Sequence, residues 1–161
     1  MNDYLDLFDR VRLRPSMYFV RPSFEAASAF VLGFDMANEG GVLAGFTEWL
    51  IVRNNGPNNI AWSALVLAAA FPDKSDRSRH VQESAQATEH AINTLFELIR
   101  EFTDVKRRHD GLRRIFLEYE AWLRRQSWYD PASPSWFELK VARGQKRQKK
   151  RRRSTAARRS G

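Results

Sequence analysis

Cysteine is absent from the 161 residues, which excludes a disulfide framework, a thiolate nucleophile and the cysteine-rich zinc sites. No apolar run is long enough for a bilayer either. The longest, from Ile60 to Phe71, falls short of the about twenty residues that a spanning helix requires. Strict polar/apolar alternation is almost missing and no unit recurs at a period of about twenty to fifty residues, which argues against half-buried strands and against a solenoid. The opening MNDYLDLFDR is acidic and amphipathic and lacks a positive segment followed by an apolar one, so no secretory signal is expected. These absences predict a soluble, cytoplasmic protein without a membrane partner.

The recognised catalytic patterns are missing as well. There is no GxSxG, no SxxK and no GxxxxGK[ST], so neither an activated serine nor a phosphate-cradling loop is predicted. The carboxylate pairs Glu97/Glu101 and Asp3/Asp6 interleave with Arg100 and Arg10 on faces opposite the apolar stripes, as solvated helix surface does. His80 and His90 flank Glu83 and Glu89, but on one continuous helix a ten-residue step leaves side chains roughly 80° apart. His109 lies in the charged string KRRHD. No metal, no cofactor and no catalytic residue is predicted, and the expectation is a protein that is not an enzyme.

What the chain does contain is apolar and aromatic mass: 43% hydrophobic residues, with eleven Phe and five Trp, enough for one buried core. The spacing of those residues predicts an all-α fold, a compact bundle of about six helices. The first runs to about Leu13 and ends at Pro15. Ser23 caps a second, whose Phe24, Ala27, Val31 and Phe34 face inward, flanked by Phe30 and Ala37, until Asn38 and Gly40-Gly41 stop it. The run GFTEWLIVR forms a third, with Phe46, Trp49 and Leu50 on one side. From Ala61 to Phe71 nearly every position is apolar or Ala, as a central helix or a buried strand would require. A long helix is predicted from about Val81 to Val105, with Ile92, Leu95, Phe96, Ile99 and Phe102 as its stripe. The last carries Leu112, Ile115, Phe116, Tyr119, Trp122 and Leu123, and these two are expected to form a hairpin. The string SWYDPASPSWF after Gln126 reads as an ordered loop against the body.

Charge divides the chain differently. The last nineteen residues hold Arg143, Lys146, Arg147, Lys149, Lys150, Arg151, Arg152, Arg153, Arg158 and Arg159 and no acid, leaving seventeen basic against 19 acidic residues in 1–142. The expected organisation is therefore a near-neutral globular domain, 1–142, and a disordered basic tail, 143–161. The tail attracts polyanions, but with no aromatic to stack on bases its nucleic-acid binding would be nonspecific.

Two resemblances attach to quoted motifs. VRLRPSMYFVRPS, from Val11 to Ser23, resembles the VRKRPGMYIG stretch of gyrase B-type topoisomerase ATPase domains over about ten residues. That family continues with ExxDN and a glycine-rich lid; here Glu25 has no Asp-Asn after it, Asn38 has no Glu-x-x-Asp before it, and no DxGxG follows, so its ATPase residues are not carried over. The chain also resembles a group of small bacterial helical proteins of unknown or immunity-type role. The match is carried by Arg14, Pro15, Met17 and Tyr18 (RPxMY), by Gly33, Phe34 and Ala37, by Gly45, Phe46, Glu48, Trp49 and Leu50 (GFxEWL), and by Trp62. The resemblance implies a shared helical fold, which does not fix what the fold binds; the favoured role is recognition of a protein partner, as an immunity protein would do, with no oligomeric state attached. Arg12, Arg14, Tyr18, Arg21 and Glu48 form the candidate recognition patch, provided the RPSMY turn packs beside the GFTEWL helix. The alternative places Tyr18 and Trp49 in the core and pairs Arg14 with Glu48 to hold the turn. The rival function is a nucleic-acid-associated accessory protein acting through its tail.

Overall fold

A computed structural model describes residues 4–130, and every regular element among them is helical. The order is α1 (Tyr4–Leu13), a 3-10 turn (Pro15–Met17), α2 (Phe24–Ala37), α3 (Phe46–Asn54), α4 (Trp62–Ala70), α5 (Arg77–Gln82), α6 (Ala85–Lys106) and α7 (Gly111–Arg124). The all-α expectation holds, with one more helix than the six predicted. The predicted tail, Arg143 to Gly161, lies outside the described residues, as does most of SWYDPASPSWF.

Caps set most of the boundaries. Ser23 stands in extended backbone and its hydroxyl accepts the Ala26 N–H at 3.1 Å, which starts α2. The extra helix has the same cause. The single helix expected from Val81 breaks at Ser84, whose extended backbone (φ −152°, ψ 155°) and hydroxyl, accepting the Ala87 N–H at 3.0 Å, restart the chain as α6. Upstream, Asp76 caps α5 by accepting the Arg79 N–H at 3.1 Å.

Within residues 1–123, α6 is the hub on which α1, α2, α3, α4 and α5 all pack. Its predicted stripe of Ile92, Leu95, Phe96, Ile99 and Phe102 is buried, together with Ala91, Leu98 and Thr103. Phe8 on α1 meets Phe96 at 5.6 Å and Phe34 at 5.2 Å, while Phe46 and Trp49 on α3 close on Phe102 at 5.1 and 5.8 Å. Each such buried side chain contributes about 1.5–3 kcal/mol before entropy is subtracted. The apolar run after Ala61 is helical, and α4 packs against α3, α5 and α6.

The expected α6–α7 hairpin is replaced by a different arrangement. Asp110 turns the chain through a left-handed backbone (φ 55°), and α7 touches both ends of α3 without packing closely on either α3 or α6. Leu112 and Ile115 crowd Gly45 at the start of α3, and the Trp122 indole N–H donates to Asn55 Oδ1 at 2.9 Å at its end. Only Gly111, Ile115 and Trp122 of α7 are buried, and Phe116, predicted for the core, is exposed. The contact pattern separates residues 1–123 from 124–161. In the described part of the latter, the Tyr129 N–H donates to Gln126 O at 3.2 Å and the Trp128 and Tyr129 rings meet edge to face.

Candidate functional site

Pro15 cannot continue α1, and the chain folds into a short turn in which the Met17 N–H donates to Arg14 O at 3.0 Å and the Tyr18 and Phe19 N–H groups donate to Pro15 O. Phe19 is the inward anchor, edge to face with Phe30 at 5.9 Å. With Phe19 turned in, its neighbours turn out: Leu13 is 68% exposed, Met17 73%, Val20 fully and Tyr18 by two-fifths. Four large apolar side chains are thus exposed within eight residues, which makes this segment the candidate for contact with a partner.

The turn faces the first turns of α6 across a cleft of about 290 Å³. Arg12, Leu13 and Ser16 line one wall; Thr88, Glu89 and Asn93 line the other. That volume sits at the lower edge of the about 300–1,000 Å³ typical of ligand pockets, so it suits a side chain with adjoining backbone better than a nucleotide-sized cofactor. Arg12 lies 3.9 Å from Asp9, but the same carboxylate is held by Arg100. The Arg100 guanidinium is pushed up by that hydrogen bond and by the further acids Asp104 and Asp6. Arg14 and Arg21 are exposed and form no ion pair with a described residue.

Of the predicted patch, Arg12, Arg14, Tyr18 and Arg21 thus belong to one segment around the turn, and Glu48 does not join them. The turn packs on α1 and borders the Ala85–Asn93 end of α6, whereas α3, which carries Glu48, lies against Phe102 some way down that helix. No Arg14–Glu48 ion pair forms. Trp49 is in the core and Tyr18 is exposed, so the alternative that placed both in the core holds for Trp49 and not for Tyr18.

One cluster has no counterpart in the sequence analysis, and a second brings together histidines that one continuous helix would hold apart. Asp35, 9% exposed, accepts the Leu43 N–H at 2.8 Å, and Lys106 donates to the Gly41 and Val42 carbonyls, its ammonium 5.4 Å from the centre of the Phe102 ring. Burial pushes the Lys106 ammonium below its ordinary value, partly opposed by the charge of Asp35. The pair ties the loop after α2 to the end of α6. A signal existed: Asp35 continues the Phe24, Ala27, Val31 stripe, where an acid demands a buried partner. The second cluster follows from the break at Ser84, which lets His80 and His90 meet one ring, Phe71, edge-on at 4.9 and 5.3 Å. His80 contacts Glu83 at 2.8 Å and His90 contacts the Ala70 carbonyl at 3.1 Å. Among the described residues no three His, Asp or Glu side chains are grouped as a metal would need, and no helix is long and apolar enough to cross a membrane. The ten predicted tail residues, Arg143 to Arg159, lie outside the described residues.

No protein-family model, no curated protein and no solved structure matches this chain.

Proposed function

We propose that this chain is a non-catalytic binding protein that recognises another protein, in the manner of an immunity or antitoxin partner, and that its basic C-terminal segment adds nonspecific affinity for polyanions. The observation that carries the reading is the outward display of Leu13, Met17 and Val20 among Arg12, Arg14 and Arg21 in one turn held by Pro15 and Phe19. Such a mixture of large apolar side chains and arginine is what protein interfaces concentrate.

The test is affinity capture with the tagged full chain in extract of its own cells at about 0.15 M salt, where surface electrostatics are screened beyond about 8 Å. One protein recovered in stoichiometric amount, and lost on Met17→Ser with Val20→Ser, is the expected result. Nucleic acid alone, released as salt rises, favours the second reading. That reading, a nucleic-acid-associated accessory protein, draws on the ten Lys/Arg without an acid from Arg143 onward.

A further inference from the structure

Resting on the recognition reading above, we infer that the cleft between the Pro15–Met17 turn and the start of α6 receives an extended acidic segment of the protein partner, with a bulky apolar side chain seated beside Leu13. Charge selects the sign. Arg12 lines the cleft, and Arg14 and Arg21 are exposed sequence neighbours of its lining residues Leu13, Pro15 and Pro22; Arg12 shares Asp9 with Arg100, and the other two have no carboxylate partner among the described residues. Among the described residues Glu89 is the one acid on the lining. The segment 10–23, which supplies one wall, carries no acid, so a partner bearing carboxylates is attracted to it, and guanidiniums meet carboxylates in two-pronged geometry that lysine does not offer.

The lining selects a peptide over other anions. Arg12 donates and Glu89 accepts; Asn93 and Ser16 do both; the Thr88 hydroxyl gives its proton to Val81 O at 2.8 Å and so presents an acceptor. A backbone that alternates N–H and C=O satisfies such a mixed wall, whereas a run of phosphates would meet Glu89 with like charge. A bilayer surface would engage Leu13, Met17 and Val20 but leave a concave cleft of about 290 Å³ unfilled. Leu13 borders the cleft and is 68% exposed, so an apolar residue entering beside it removes surface from water on both sides.

The probe is a phage-displayed library of random peptides panned on the immobilised full chain, with soluble polyphosphate present to occupy the basic segment. Enriched peptides are resynthesised and their Kd measured by fluorescence polarisation. The expected motif places Asp or Glu beside Leu, Phe or Trp. Arg12→Glu and Asn93→Trp, the latter filling the cleft, each raise Kd at least about tenfold, and Arg113→Glu on exposed α7 leaves it unchanged. Ser16→Trp fills the cleft from the opposite wall and serves where Asn93→Trp alters the melting curve. Peptides whose affinity ignores both cleft-filling variants overturn the inference. So does enrichment of no motif, and so does Arg12- and Met17-dependent sedimentation with phosphatidylserine vesicles in place of peptide binding. A cellular partner indifferent to Asn93→Trp and Ser16→Trp removes this cleft while leaving the recognition reading intact; the absence of any protein partner removes that reading itself.

Discussion

At the scale of single residues, Asp35 shows why an acid on an apolar stripe is tolerated. Its carboxylate replaces the missing partner of the Leu43 N–H and stands near the Lys106 ammonium, so deleting it orphans a donor and leaves a half-buried cation without its counter-charge. Asp35→Ala is expected to lower unfolding free energy by about 2–3 kcal/mol, and Asp35→Asn, which keeps an accepting oxygen, by less; urea denaturation measures both. Lys106 gives the pH dependence. Its folded value lies below the ordinary lysine value, so the unfolded chain binds more protons there, and stability rises with pH between the depressed folded value and the unfolded one near 10.4. Lys106→Met should flatten that rise in melts taken across the alkaline range. Two glycines separate strain from space. A Cβ at Gly45 (φ 85°) would lie 2.9 Å from the flexible tip of Leu112, whereas at Gly111 it would press on the Val105 carbonyl and lie 2.5 Å from that of Lys106. Gly45→Ala should lose about 1–2 kcal/mol from the left-handed backbone and the displaced side chain. Gly111→Ala should lose more, because backbone has to move.

At the scale of elements, most of the fold was legible where a cap and an apolar stripe agree. Ser23 precedes Phe24, Ala27 and Val31, and both the cap and the buried face follow. Ser84 was unreadable for the opposite reason. Val81, Thr88, Ile92 and Leu95 keep helical spacing straight through the break, so periodicity conceals that α5 and α6 are separate, and the cap is the only sign. Ser84→Ala is expected to lower stability by about 1 kcal/mol and to speed hydrogen exchange at the Ala85–Thr88 amides while leaving those around Ile99 slow. α7 packs less closely on α6 than its stripe predicts and buries fewer residues. A helix that buries Gly111, Ile115 and Trp122 alone uses a narrow seam, which spares Phe116 from the core although its spacing matches. The candidate site was half legible: proline, arginine and aromatic residues in RPSMY announce a turn with exposed charge. That Glu48 sits elsewhere follows from how α3 crosses α6, and no local pattern encodes a crossing.

At the scale of the whole molecule, the two possible locations of polyanion affinity predict different salt laws. Seventeen basic and 19 acidic residues in 1–142 leave that part slightly negative, against ten uncompensated charges after it. A protein that neutralises Z phosphates of duplex DNA loses affinity with a log–log slope of about −0.9Z, so full engagement of the basic segment gives at most about −9. The three arginines around the RPSMY turn give at most about −3 by the same rule. Deleting Arg143–Gly161 should therefore abolish DNA binding in a salt titration by fluorescence anisotropy, with the thermal midpoint unchanged. A residual slope near −3 that Arg14→Glu and Arg21→Glu remove would instead place nucleic acid on the turn and make it a competitor of the acidic segment inferred there. Loss of binding on truncation with peptide affinity retained would separate the two surfaces, so that partner choice resides in the turn and attraction to polyanions in the basic segment.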